Sequence, residues 1–258
     1  MTGALKGQGI LVTRPSAQSG ELTAALAAAG GTVFQLPVIE IKPRSPEAIL
    51  PDLAALPSPD IVVYVSGNAV SCGAETLREN QDARVVPAVA AIGPATKAAL
   101  EDAGVDVDIS PVTGFDSERL LEYETLNNVT GRQVLIVRGQ SGRELLGDTL
   151  RQRGATVNYL AVYTRTTATP DLKILSQLIE NWENGAIDAV IVMSVESLTG
   201  LLKILPADAH PLLQKTRLVT PSKRVIQTAT VSIPDVNTVL ADSPRVDSLV
   251  KAVVEKRT

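Results

Sequence analysis

The feature that most constrains this chain is that it repeats itself. The stretch GQGILVTRPSAQSGELTAALAAAGGTVFQLPVIE, from Gly7, aligns with GRQVLIVRGQSGRELLGDTLRQRGATVNYLAVYT, from Gly131, once one residue is deleted and later restored. Gly7 then meets Gly131, Arg14 meets Arg138, Glu21 meets Glu144 and Gly30 meets Gly154. Downstream, DIVVYVSGNAVSCGAETL from Asp60 resembles DAVIVMSVESLTGLLKIL from Asp188, which sets Ser66 over Ser194. Further on, VAAIGPATKAAL from Val89 sits over TRLVTPSKRVIQ from Thr216, with Pro94 over Pro221. Three matches in one order, at nearly one offset, mean an architecture used twice. A chain of 258 residues has room for two such domains.

Each copy alternates the same two kinds of segment. A short Val/Ile/Leu run, suited to a strand buried on both faces, ends in small polar residues and gives way to an amphipathic Ala/Leu-rich run. Gly30, Gly104 and Gly154 follow three of the amphipathic runs and predict helix stops. Strands alternating with helices predict an α/β fold with a doubly wound parallel sheet in each copy. LPVIEIKP (from Leu36) and LAVYTRTTATP (from Leu160) differ: both are β-branched, closed by proline and without a helix attached. They read as linker strands.

Composition removes several functions. With 24 basic against 28 acidic residues, and no Lys/Arg-rich tract, the footprint of a duplex-binding protein is missing. Only two Phe, one Trp and four Tyr are present, too few rings to favour a flavin or single-stranded nucleic acid. Cys72 and His210 are each the only residue of their kind, which argues against disulfides, thiolate zinc sites, metal catalysis and histidine triads. His210, in ADAHPLL, reads as a surface residue. No apolar run approaches the length of a membrane span and no signal-peptide stretch precedes the first strand, so a cytoplasmic protein is expected.

In an open parallel sheet the loops at the carboxyl ends of the strands form the binding crevice, and helix N-termini there offer N–H groups to anions. Six loops qualify: those at Arg14, at Ser66 and Asn68, at Gly93 and Thr96, at Arg138, at Ser194 and Ser197, and at Ser222 and Lys223. The loop RGQSGRE invites a nucleotide reading, but Gly142 is followed by Arg143 and Glu144 and not by Lys-Ser/Thr, and GQSG lacks the GxGxxG spacing. Small, hydroxyl-bearing loops with a few cations suit a ligand with several carboxylates better than one phosphate. Tyr163, in AVYTR, reads two ways: as a half-buried tyrosine capping a core, or as a phenol able to donate a proton or a hydrogen bond.

Taken in order, ILVTRP, VVYVSGNAV, AAIGPATKAAL, VLIVRGQSGRELL, RGATVNYLAVYTR, VIVMSVESL and VTPSKRV resemble the uroporphyrinogen-III synthase family over essentially the whole chain. The resemblance implies two flavodoxin-like domains joined by a two-stranded β linker. Residues 1–37 plus 168–258 would form the first domain and 42–163 the second, with linker strands at 38–41 and 164–167. It implies a lyase that closes hydroxymethylbilane, a linear tetrapyrrole with eight carboxylates, to uroporphyrinogen III. The last ring is inverted, water is lost, and neither metal nor organic cofactor takes part. Tyr163 falls on the family's tyrosine, and Ser66, Thr96 and Ser197 on its cleft hydroxyls, though each of these three also suits a helix N-cap. The loop TPSKRV, with Ser222 and Lys223, departs from the GPxTA-like sequence common there. A monomer in transient contact with the preceding pathway enzyme is expected. The rival from another class is a non-catalytic two-domain protein that closes on an anionic small molecule.

Overall fold

The computed structural model describes residues 3–80, 86–112 and 116–255. Its strands, in chain order, are β1 (Gly9–Val12), β2 (Thr32–Gln35), β3 (Ile39–Pro43), β4 (Ile61–Tyr64), β5 (Ala88–Ala91), β6 (Gln133–Gly139), β7 (Thr156–Thr167), β8 (Ala189–Ile191), β9 (Arg217–Thr220) and β10 (Thr238–Leu240). They form two sheets, ordered β10-β9-β8-β1-β2 and β3-β7-β6-β4-β5. The chain divides into two compact units, Met1–Glu40 with Thr166–Thr258, and Ile41–Arg165.

In the first unit every pairing is parallel. Counted within the unit, the strand order is 2-1-3-4-5, the flavodoxin-like arrangement, whose switch point lies between its first and third strands. Its first strand, GILV, is buried at all four residues, as a strand covered by helices on both faces must be. Ile10, Val12, Ala189, Ile191, Val219 and Val239 share one core with Leu22 and Leu26 of the helix Ser16–Ala28 and Leu249 and Val253 of the helix Val246–Glu255.

The second unit repeats the plan. From β5 through β4, β6 and β7 the order is again 2-1-3-4, all parallel. The edge position beyond β7 goes to β3, a strand read from the sequence only as a linker. Val38 accepts from the Ala168 amide and Val162 from the Arg44 amide, so partner numbers fall as chain numbers rise and the pairing is antiparallel. Alternation along the strands gives this sheet two cores. Ile61, Val63, Val134, Ile136 and Val157 face one way, and Val62, Tyr64, Leu135, Val137, Leu160 and Val162 the other.

Duplicated residues do duplicated work. Gly30 and Gly154 close their helices at φ of +92° and +88°, a conformation that costs glycine little. Asp60 and Asp188 each stand just before a strand and accept from the amide that opens the neighbouring one: Gln133 at 2.7 Å and Gly9 at 2.8 Å. His210 is not the surface residue expected from the sequence. It opens the short helix His210–Gln214, is half-buried, and sets Nε2 3.0 Å from the Leu202 carbonyl and 3.2 Å from that of Leu205. Because carbonyls only accept, that nitrogen carries the hydrogen and ties off the end of the helix Val195–Ile204. Among the described residues no helix is long and apolar enough to cross a membrane.

Candidate active site

The second unit holds a cavity of about 280 Å³ at the carboxyl ends of β4, β6 and β7. Ser66, Arg138, Ser141, Tyr159, Tyr163 and Arg165 give it a polar wall, and Val65, Ile92 and Ile136 an apolar floor. Three of the residues singled out from the sequence therefore meet in one place: Ser66, Arg138 and Tyr163.

The way Tyr163 enters is set by the backbone. β6 and β7 run in register until Arg138 pairs with Ala161, and then Gly139 pairs with Tyr163, leaving Val162 as one extra residue on β7. Such a bulge breaks the alternation of faces and re-aims the side chain that follows. Val162 and Tyr163 are accordingly both buried although adjacent. The partner of Tyr163 across the bulge has to be glycine, since a Cβ on Gly139 would stand 2.6 Å from Cε2 of the tyrosine ring. The first glycine of RGQSG therefore serves an aromatic ring and not a phosphate.

Around the phenol oxygen stand two groups. Ser66 Oγ lies 3.4 Å away, and Arg165 Nη2 donates from 3.3 Å. Ser66 also accepts from the Ala69 amide at 3.2 Å, so it caps the helix Gly67–Asn80 and faces the cavity at once. Arg138, only 8% exposed, donates to Glu144 at 2.8 Å and lies over the Tyr159 ring at 4.3 Å. The Tyr159 hydroxyl donates to the other oxygen of Glu144 at 2.7 Å. The Tyr159 bond first, and the Arg138 bond second, hold the Glu144 carboxyl below the usual carboxylate range. Burial, reinforced by that carboxylate, raises the Tyr159 phenol. Arg143 also lines the cavity and pairs with Glu118 at 2.9 Å.

The other residues singled out from the sequence stand elsewhere. Asn68, Gly93 and Thr96 belong to the second unit and follow β4 and β5, but they do not line this cavity. Gly93 and Thr96 are buried at the start of the helix Pro94–Asp102, where the Thr96 amide donates to the Gly93 carbonyl. Arg14, Ser194, Ser197, Ser222 and Lys223 belong to the first unit and follow the carboxyl ends of β1, β8 and β9. Arg14 is half-buried, and its guanidinium, which reaches the Pro244 carbonyl at 3.4 Å, is lowered by burial against a counteracting pull from Glu21. The cap on the helix Val195–Ile204 is Ser194, which accepts from the Ser197 amide at 3.1 Å. Ser197 is thus not the capping residue that its type suggested. Lys223 is exposed and Ser222 half-buried.

Sequence reading missed Arg165, Arg143 and Tyr159. For Arg165 a signal existed, because residues two apart on a strand share a side and Arg165 follows Tyr163 by two. A larger cavity, about 670 Å³, is lined by Gln8, Trp182, Lys215, Arg217 and Asn237 at the amino ends of the first unit's strands. Several of its polar groups serve the fold: Trp182 donates to Thr216 at 2.7 Å, and Arg217 to the Val253 carbonyl and to Gln8. The cavity of about 280 Å³ gathers two phenols, three serine hydroxyls and three guanidiniums. It can pair with an anion and can donate a proton.

Comparison with known proteins identifies the family. The family model described as Uroporphyrinogen-III synthase HemD matches residues 20–251. The uroporphyrinogen-III synthase of Escherichia coli (strain K12) is 34% identical over 250 residues, covering 95% of this chain and 99% of its own. That of Proteus mirabilis is 32% identical over 195 residues, 75% of this chain and 96% of its own. Among solved structures, uroporphyrinogen-III synthetase from Helicobacter pylori superposes with a TM-score of 0.63 at 13% identity, covering 97% of this chain and all of that one. A mutant uroporphyrinogen III synthase from Thermus thermophilus does so with a TM-score of 0.58 at 18% identity, covering 95% and 97%. The two structures share the fold, and the family match together with the Escherichia coli relative goes further: the chain belongs to the uroporphyrinogen-III synthase family.

Proposed function

We propose that this chain closes hydroxymethylbilane to uroporphyrinogen III, and that the cavity of the second unit takes the reacting end of the substrate. The observation that carries the proposal is the constellation at Tyr163: a phenol seated by Gly139, with Ser66 and Arg165 at its oxygen and Arg138 in the same wall. A cavity of about 280 Å³ is too small for a linear tetrapyrrole but accommodates one pyrrole ring with its acid side chains. Arg138 and Arg143, each already on a carboxylate of the protein, are built to exchange it for a carboxylate of the substrate.

In this reading Tyr163 gives its proton to the terminal hydroxyl, which leaves as water. The ring carbon that already bears the bridge attacks the azafulvene left behind. The spiro intermediate fragments and recloses with the last ring inverted. The proton lost on re-aromatisation returns to the tyrosine, so the reaction nets one water and needs neither redox partner nor cofactor. The enzyme is then a lyase, and most of its work is holding the chain in the one conformation that leads to inversion. Asn68, Gly93 and Thr96, and in the first unit Arg14, Ser194, Ser197, Ser222 and Lys223, are the further residues proposed to hold carboxylates. A monomer is the proposed state. A non-catalytic binder explains two lobes equally well, but it does not explain membership of this family.

The test is incubation with freshly generated hydroxymethylbilane, followed by separation of the type I and type III products. Excess type III over a protein-free control supports the proposal, and an isomer ratio equal to the control rejects it.

A further inference from the structure

We infer that Arg165 is a positioning residue that fixes Tyr163 as a proton donor and holds the charge that donation leaves behind. The inference rests on the reading of Tyr163 given above. Three observations lead to it. First, Arg165 Nη2 stands 3.3 Å from the Tyr163 hydroxyl oxygen, in the wall of the same cavity. A guanidinium has only donors, so at this contact the phenol oxygen must accept. The single phenol hydrogen is thereby directed away from Arg165, toward Ser66 at 3.4 Å or into the cavity. Second, the ring cannot retreat, because it is packed against the bare Cα of Gly139 across the bulge. Third, Arg165 sits two residues beyond Tyr163 on the same strand, so one backbone segment fixes both groups.

The consequence is a contact that strengthens as the reaction proceeds. While the phenol is neutral, Arg165 makes a long hydrogen bond that is charged on the donor side alone. Once the proton has gone to the departing hydroxyl, the same bond joins a cation to a phenolate oxygen, charged on both sides, and strengthens. An interaction stronger in the transition state than in the ground state raises kcat, whereas one equally strong in both alters KM. Arg165 therefore acts through Tyr163 and not on the substrate.

The test is a double-mutant cycle with Arg165→Gln, Tyr163→Phe and the double variant, plus Arg165→Lys. Each is assayed on freshly generated hydroxymethylbilane, with urea unfolding to verify that it folds. Arg165→Gln is expected to lower kcat on the order of a hundredfold, with KM changed less than about threefold. Arg165→Lys keeps a charge without the planar fork and is expected to fall between. In the Tyr163→Phe background Arg165→Gln is expected to add nothing, because the oxygen it serves is gone. If the two losses multiply in the double variant, or if Arg165→Gln raises KM alone, Arg165 works independently of the phenol and the inference fails while the role of Tyr163 stands. If Tyr163→Phe itself leaves kcat unchanged, both fail.

Discussion

At the scale of single residues, Gly139 shows how much of the site rests on one missing methyl group. Gly139→Ala forces a Cβ into the ring of Tyr163 across a strand pairing that cannot give way cheaply. Overpacking of this kind costs about 1–3 kcal/mol. The variant is expected to unfold at lower urea than the parent and to lose turnover with the displaced phenol, which urea titration and product analysis check together. Glu144 offers a second handle. Its folded carboxyl is depressed by Tyr159 and Arg138, so its contribution to stability is present above the ordinary carboxylate range and is lost as pH falls through the depressed value. Glu144→Gln removes that contribution. The stability gap between parent and variant should narrow on acidification, and a gap that stays constant in urea titrations at successive pH values would contradict the assignment. What the sequence shows at this scale is uneven. Ser66, Arg138 and Tyr163 can be found from strand ends and resemblance, whereas the role of Gly139 depends on a ring far along the chain and on a bulge that no local pattern announces.

At the scale of elements, the repeat can be read from the sequence and its purpose can be checked. Asp60 and Asp188 occupy matched positions, and each closes the start of its sheet by accepting the opening amide of the adjacent strand. Removing either acceptor leaves a strand-end N–H without its partner, at about 1–3 kcal/mol. Asp188→Ala is therefore expected to lower the urea midpoint read by fluorescence of Trp182, the only tryptophan and a buried residue of the same unit. An unchanged midpoint would show that the bond is dispensable. Strands such as GILV and IVVY declare themselves by composition, because a run buried on both faces has no polar side to display. β3 does not. Its pattern is that of any short extended segment, and its edge place beside β7 is fixed by pairing with a distant strand. The short helices Ser117–Leu120 and Glu124–Asn127 carry no periodicity long enough to read.

At the scale of the whole molecule, duplication supplies the scaffold and divergence supplies the chemistry. Arg14 and Arg138 are matched by the repeat, yet Arg138 is nearly buried, paired with Glu144 and stacked on Tyr159, while Arg14 is half-buried and reaches the Pro244 carbonyl. One copy of the plan has turned its loop into the wall of a cavity that ends at Tyr163. The account stands or falls on that tyrosine. Rates and isomer composition from hydroxymethylbilane should be measured for the parent and for Tyr163→Phe, each against a protein-free control. The account predicts mainly type III product from the parent and turnover reduced on the order of a hundredfold in the variant. Equal turnover with an identical isomer ratio in the two proteins would contradict it.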